Sequence, residues 1–313
     1  MKKKNLLVNL IKIFVSGIFL FLVIKKIDFP LLKETLKNSQ IFILFFSFLF
    51  LIGVSVLLAL RWYLILKIYL KEKNSLFYIW KLTMIGLFFN MLLPTSAGGD
   101  AVKIYYLVKE EEKKLLTGIS VIIDRYIGSL TVITMGAVSL LFSSINDRRI
   151  YYLIFSLFLF LLLLFLFFSS REFARKFYNP LKKLLPVSLK TKLENLYSSF
   201  HYYFSQKKNI GKAIFISFLL QTVSILAQYV GCFAIIKKFL SISIFFIYIP
   251  IIWLATIIPS IGGLGIREFS YVYFFAPYMG KEKAFALSLI FLFSLIIQSF
   301  IGFFIFITLK DRG

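Results

Sequence analysis

The sequence predicts an all-α polytopic integral membrane protein, with about six spanning helices and two re-entrant, broken-helix hairpins. Three observations predict this class. Of the 313 residues 60% are hydrophobic, the mean hydropathy is +0.88, and four long segments carry no charged side chain. Those segments are 41–60, 150–170, 213–236 and 284–309. A soluble domain has no use for so much apolar surface, whereas roughly 20 apolar residues span a bilayer.

The net charge of +23 does not indicate a nucleic-acid-binding protein, because most lysines and arginines flank the apolar runs. Insertion topology and attraction to anionic lipid explain cations at those places. The single cysteine, Cys232, excludes an intrachain disulfide, and no Cys/His cluster suggests a metal site. The sequence therefore predicts no nucleic-acid partner, no metal and no other cofactor.

Six segments are predicted to span the membrane: 5–24, 41–60, 115–142, 150–170, 211–236 and 284–309. No small-x-small cleavage site follows the first one before Lys25, so we interpret it as an uncleaved helix rather than a signal peptide. Six spans place both termini in the cytoplasm of a cell inner membrane, and most of the basic residues then lie inside, as the positive-inside rule requires. The lysine-rich loop 25–40 fits that rule least well.

Two further regions, 76–108 and 239–279, are each long enough to enter the membrane twice, and each is interrupted by proline and glycine. Aligned on their glycines, both read aliphatic-Pro-(2 or 3 residues)-Gly-Gly-x-x-(Val/Ile)-(Lys/Arg), followed by an aromatic-rich stretch. The predicted topology makes them hairpins of opposite entry, which is typical of an inverted repeat with a binding site near the midplane. Two full double spans, giving ten helices, remain an alternative.

Each motif is predicted to bind an anion at membrane depth. Pro94 and Pro259 would end one half-helix, and the glycine pair would free the backbone after it. The next half-helix would present N–H groups and its positive dipole end. Lys103 and Arg267, about one turn further on, could face the same anion, such as the phosphate of a phospholipid headgroup. Alternatively, the glycines are packing contacts and the two cations pair with neighbouring acids.

Asp124 and Arg125 lie between apolar runs, so both charges are predicted near the bilayer interior. Adjacent residues point about 100° apart on a helix, so Arg125 needs a carboxylate or a ligand phosphate. The candidate carboxylates are Asp100, Glu268 and Asp124, and a structural ion pair between helices is the alternative to a substrate contact. Arg61-Trp62-Tyr63 is interpreted mainly as an interface anchor. The amides within apolar runs, Asn90, Gln221, Gln228 and Gln298, are interpreted as interhelical hydrogen bonds. The predicted substrate-binding residues are Gly98, Gly99, Asp100, Lys103, Asp124, Arg125, Gly262, Gly263, Arg267 and Glu268.

The whole chain, 1–313, is predicted to form one transmembrane domain with no soluble catalytic domain. Segment 171–208 carries nine Lys/Arg against two Asp/Glu, with apolar residues at roughly helical spacing, and is predicted to form interfacial helices on the cytoplasmic leaflet. There is no nucleophile elbow, Walker loop, zinc spacing or dinucleotide fingerprint. The sequence therefore favours a binding or transport protein over an enzyme.

Four motifs occur in order along the chain: Arg61-Trp62, Leu-Pro-x3-Gly-Gly-Asp-Ala-Val-Lys at 93–103, Asp124-Arg125, and Pro-x2-Gly-Gly-Leu-Gly-Ile-Arg-Glu at 259–268. Together they make nearly the whole chain resemble the lysylphosphatidylglycerol synthase transmembrane-region family, which includes the flippase part of the multiple-peptide-resistance factor. The resemblance implies a polytopic fold that binds or flips phospholipids. It also implies that the aminoacyltransferase domain of full-length synthases is missing after Gly313.

The functional prediction is a flippase-like transporter that holds an anionic or aminoacylated phospholipid, or a related isoprenoid lipid, in a midplane cavity. An alternative is the membrane subunit of a lipid-headgroup transferase that works with a separate soluble enzyme. The predicted partners are anionic lipid and the membrane, together with a homodimer or a partner glycosyltransferase or synthase as further possibilities.

Overall fold

The computed structural model describes residues 14–69, 75–93, 98–108, 111–143, 145, 147–182, 186–256, 258, 260 and 262–310. Every regular element in these ranges is a helix. In chain order the helices are α1 Phe14–Ile24, α2 Phe29–Lys37, α3 Ile41–Leu66, α4 Leu76–Leu92, α5 Gly98–Leu107, α6 Glu111–Leu141, α7 Arg148–Ser169, α8 Arg171–Lys182, α9 Val187–Ser205, α10 Lys207–Ile236, α11 Ile242–Ala255, α12 Ile266–Met279 and α13 Lys281–Lys310.

Five helices are long and apolar enough to cross a membrane: α3, Leu115–Leu141 of α6, α7, α10 and Lys281–Leu309 of α13. They coincide with five of the six predicted spans, and the all-α polytopic class is confirmed. Of the predicted span 5–24, the described part is α1, and the residues before Phe14 lie outside the described ranges. The protein is a multi-pass membrane protein.

Helices α3 and α10 run antiparallel and pack against each other along their lengths. At one end the backbone N–H of Gln40 donates to the carbonyl of Ala234 over 2.9 Å. At the other end Ile65 and Ile210 share one buried cluster. A Cβ at Gly231 would lie 2.9 Å from the Ser47 hydroxyl, so the missing side chain permits the close approach of the two helices.

Side-chain hydrogen bonds gather the loops into two groups at opposite ends of the bundle. At the end that we call the α2 end, bonds join Asp28 N to Glu282, and Ser139 to the carbonyl of Ser243. At the α9 end they join Tyr202 to Ile68, Tyr203 to Leu116, and His201 to Phe168. The predicted order of spans places the same loops together at each end of the bundle. Which end faces the cytoplasm remains a prediction.

The two regions interrupted by proline and glycine form helical hairpins that open toward opposite ends. In α4–α5, the Tyr78 hydroxyl donates to the carbonyl of Tyr106 over 3.1 Å, near the α9 end. In α11–α12, the Phe245 and Phe275 rings lie 4.9 Å apart, near the α2 end. The hairpin tips approach each other, since a Cβ at Gly262 would lie 3.6 Å from the Cα of Met91.

The two tips are built differently, which corrects one sequence prediction. Helix α12 begins at Ile266, after glycines whose φ angles of +56° at Gly262 and +79° at Gly263 are unfavourable for other residues. Helix α5 begins at Gly98, so the prediction that a helix restarts after each glycine pair is wrong for the first motif. A Cβ at Gly99 would lie 2.0 Å from the carbonyl oxygen of Gly86, so Gly99 serves close packing rather than a turn. Pro94 and Pro259, the predicted breaks, lie outside the described residues.

The basic segment 171–208 forms α8, α9 and the start of α10. Arg171, Arg175 and Lys176 are exposed on α8, which follows α7 directly, as an interfacial helix requires. The end of α9 differs, because Tyr203 and Phe204 are buried against the bundle. The predicted position at the membrane interface therefore agrees with α8 better than with the second half of α9.

Glycine at the contact between α4 and α13 provides a test of this packing. A Cβ at Gly302 would lie 2.1 Å from the carbonyl oxygen of Met84, so Gly302→Ala must push α13 away from α4. We expect a loss of about 1–3 kcal/mol of stability, measured as a lower melting temperature of the purified protein in detergent. Gly53→Ala in α3 is the matched control, since nothing lies within 4 Å of a Cβ there. Equal melting temperatures for the two variants would contradict the packing.

Candidate functional site

A buried ion pair between α3 and α6 lies beside the first hairpin. Arg61 Nε and Nη2 lie 2.7 and 3.0 Å from the two carboxylate oxygens of Asp124, and the two side chains are only 5% and 10% exposed. Such a two-pronged pair satisfies both charges where water is excluded. The interpretation of Arg61 as an interface anchor is therefore wrong. Asp124, a predicted substrate ligand, already has a cationic partner.

Small polar residues complete the surroundings of this pair. Arg61 Nη1 donates to the Ser217 hydroxyl of α10 over 3.0 Å, and that hydroxyl lies 2.7 Å from the hydroxyl of Thr131. A Cβ at Gly128 would lie 2.8 Å from Arg61 Nη1, so glycine provides the space that the guanidinium occupies. The pair thereby connects three long helices, which indicates a structural role.

Two cations converge on one carboxylate at the start of α5. Lys103 Nζ lies 3.3 Å from Asp100 Oδ1, and Arg125 Nε of α6 pairs with Asp100 Oδ2. Sequence reasoning named Asp100 among the candidate partners of Arg125. Lys103 and Asp100 are each 11% exposed, whereas the Arg125 side chain is 47% exposed. We call these three residues the Asp100 cluster.

The lysine of this cluster is held by its packing. Its aliphatic chain crosses Gly86 of α4, where a Cβ would lie 2.2 Å from Lys103 Cε. Its ammonium lies 5.4 Å from the centre of the Trp62 ring, a cation–π distance. Beside it, Gly99 N donates to Asn90 Oδ1 over 3.0 Å, so that N–H already has a partner within the protein. Lys103 is therefore held in position by its neighbours, whereas the side chain of Arg125 is about half exposed at the surface of the protein.

The second hairpin tip carries another buried ion pair. Arg267 Nε and Nη2 donate to Glu268 Oε1 over 3.0 and 2.8 Å, with side chains 3% and 1% exposed. The other carboxylate oxygen of Glu268 accepts a 2.6 Å bond from the N–H of Gly265. Both tips thus contain the pairing of cation and neighbouring acid that the sequence offered as the alternative to an anion site.

The hydrogen-bonding amides of the apolar helices lie where the sequence predicts them, between helices. Asn90 joins α4 to α5, and the three glutamines bond across to other helices. The partner groups are the carbonyl of Gly128 for Gln221, the Tyr271 hydroxyl for Gln228, and the carbonyl of Leu51 for Gln298. Among the described residues, no group of three His, Cys, Asp or Glu side chains could hold a metal ion.

The last turn of α4 connects the two tips, because Asn90 bonds the first while Met91 contacts the second. The chain matches the family model described as "Lysylphosphatidylglycerol synthase TM region" over residues 9–302. The chain belongs to this family. In this family member, the matched span includes both hairpins and all three charged groups.

One relative shares a shorter segment. Over 127 residues, 40% of this chain, the sequence is 32% identical to the UPF0104 membrane protein MJ1595 of Methanocaldococcus jannaschii. The match covers 38% of the length of that protein. No solved structure matches the chain.

The Arg61–Asp124 pair gives a prediction about stability. Asp124→Leu leaves the Arg61 guanidinium buried without its carboxylate, which costs about 3–5 kcal/mol. The double variant Arg61→Met, Asp124→Leu removes both charges, and we expect it to recover most of that loss. Melting temperatures of the wild type, both single variants and the double variant in detergent form the required cycle. Additive losses in the double variant would show that the pair does not couple α3 to α6.

Proposed function

We propose that this protein moves lipids with an anionic or aminoacylated headgroup between the two leaflets of a cell membrane. The headgroup phosphate would bind at the Asp100 cluster while the acyl chains remain in the bilayer. Membership in the lysylphosphatidylglycerol synthase transmembrane-region family supports a lipid as the substrate class. The chemistry would be binding and release, without catalysis.

The observation that carries this proposal is the arrangement of Lys103 and Arg125 around a single carboxylate. The two other buried ion pairs of the described residues match one cation with one acid, and their arginine side chains are at most 5% exposed. In the Asp100 cluster two cations share Asp100, and one of them, Arg125, is half exposed. A phosphate with its several oxygens could replace or share that carboxylate, and arginine binds phosphate bidentately.

The hairpins suggest how the headgroup would pass. We infer that α4–α5 enters from and returns to the cytoplasmic side, and that α11–α12 does the same from the opposite side. Their tips meet at Met91 and Gly262, between the Asp100 cluster and the Arg267–Glu268 pair. In transporters with broken helices of opposite orientation, one repeat rocks against the other around a midplane site. Movement at this tip contact would expose the cluster alternately to the two leaflets.

Loss of the two cations should abolish transport. We expect Arg125→Gln and Lys103→Gln each to slow the transbilayer movement of fluorescent phosphatidylglycerol by about tenfold or more, since a hydrogen bond to a charged group contributes ~1.5–3 kcal/mol. The measurement is reduction of the outer-leaflet fluorophore in proteoliposomes made with the purified protein.

The matched control is Arg149→Gln, because Arg149 is 88% exposed and pairs with Asp147 at the start of α7. This variant also replaces one arginine by glutamine, but away from the hairpin tips. It should leave the transport rate unchanged. Melting temperatures measured in parallel separate a lost site from a lost fold. Wild-type rates in both Arg125→Gln and Lys103→Gln would refute the proposed function.

Removal of the Asp100 carboxylate should strengthen the binding of anionic lipid, whereas loss of either cation should weaken it. In Asp100→Asn the two cations lose their anion, so we expect the variant to be less stable alone but to bind anionic lipid more tightly. The measurement is the rise in melting temperature on adding phosphatidylglycerol, compared with phosphatidylcholine at the same concentration. A smaller rise for Asp100→Asn than for the wild type would show that Asp100 does not occupy the headgroup position.

A further inference from the structure

A second cationic feature lies at the α2 end, where the tertiary structure gathers lysines from three separate segments. The bond from Gln40 N to Ala234 places the chain before α3 beside the loop after α10. The contact of 3.4 Å between Asp28 N and Glu282 Oε1 places the same segment beside the start of α13. Six exposed lysines next to these contacts form what we call the lysine patch: Lys25, Lys26, Lys237, Lys238, Lys281 and Lys283. Helix α2 adds exposed Lys33 and Lys37 to the same end.

The segments that carry the lysine patch hold three acidic residues, Asp28, Glu34 and Glu282, against eight exposed lysines. Asp28 Oδ1 accepts a 3.1 Å bond from the N–H of Leu31 and caps α2, while Glu282 accepts from Asp28 N. Within the described part of the chain, none of the six lysines forms a salt bridge. The patch therefore retains a positive potential at the surface.

Membrane insertion explains only one of the two basic ends of this protein. Segment 171–208, at the α9 end, carries nine Lys/Arg against two Asp/Glu. The positive-inside rule accounts for an excess of lysine and arginine on the cytoplasmic side alone. Because the lysine patch lies at the opposite end, one basic end must be on the translocated side, and in the predicted topology it is the lysine patch. Its cations call for a different explanation.

One of these lysines occupies a costly backbone conformation. Lys237 ends α10 with φ 57° and ψ 23°, the left-handed region where glycine is the usual residue. A side chain there costs about 1–2 kcal/mol relative to the right-handed conformation. This conformation ends the helix and leaves Lys237 exposed next to Lys238.

We propose that the lysine patch binds the headgroup phosphates of anionic phospholipids in the leaflet at the α2 end. The apolar side chains around it favour a lipid over a soluble anion: Phe29 is 54% exposed and Phe239, beside Lys237 and Lys238, is 72% exposed. Such rings insert among acyl chains at the depth where lysines reach the phosphates. The patch is separate from the Asp100 cluster, and this inference does not depend on the proposed function.

A fluorophore placed beside the patch would report which lipids surround it. The full-length variant Ser241→Cys places an exposed thiol in the loop after Lys237 and Lys238, and native Cys232 is only 1% exposed and should not react. The labelled protein is reconstituted into vesicles containing brominated phosphatidylglycerol or, separately, brominated phosphatidylcholine at the same mole fraction. We expect phosphatidylglycerol to be enriched about fivefold at the fluorophore, judged from quenching.

Two triple variants locate the effect. Lys237→Gln, Lys238→Gln, Lys281→Gln should abolish the enrichment, whereas the control Lys207→Gln, Lys208→Gln, Lys212→Gln, which removes the same charge from the first turns of α10 at the α9 end, should preserve it. Equal quenching by both lipids in the wild type, or enrichment that survives the patch variant, would overturn the proposal. So would loss of the enrichment on adding inorganic phosphate at constant ionic strength, because the occupant would then be a soluble anion.

Discussion

The requirement that buried charge be compensated governs the interior of this protein. In the part of the chain that the structure describes, three cations and three acids, in pairs or in the Asp100 cluster, lie at most 11% exposed between apolar helices. Each of these charges is stable there only because a partner is held at hydrogen-bonding distance. The pairs in turn specify which helices adjoin, since Arg61 and Asp124 join α3 to α6, and Asp100 and Arg125 join α5 to α6.

Close helix packing brings those partners together. Gly86, Gly128 and Gly99 each leave room for a group that a side chain would displace: the Lys103 chain, the Arg61 guanidinium and the backbone of α4. In an apolar medium no hydrophobic force drives helices together, so small residues and interhelical polar contacts determine the arrangement. The same glycines that permit packing therefore also position the cations.

The Asp100 cluster differs from the two buried pairs, because two cations contact one carboxylate there, and for this reason we propose it as the ligand site. Lys103 is fixed between Gly86 and Trp62, whereas Arg125 reaches the carboxylate from a half-exposed position. A preorganised cation beside a half-exposed one can accept an anion with little rearrangement. The lysine patch adds a second, surface-exposed cationic region at the end of the bundle toward which α11–α12 opens.

The sequence alone determined the membrane class, five of the spans and the interruption of two helical regions, because hydropathy, proline and glycine act within a single segment. It also identified Asp100, Lys103, Arg267 and Glu268, since charge in an apolar run is conspicuous. Only the tertiary structure decided the partners. Arg61 and Asp124 are 63 positions apart, and nothing within α3 shows which helix packs beside it. The unequal helix starts and the contact between the tips depend on Gly86, Met91 and other groups of neighbouring helices, which no local pattern records.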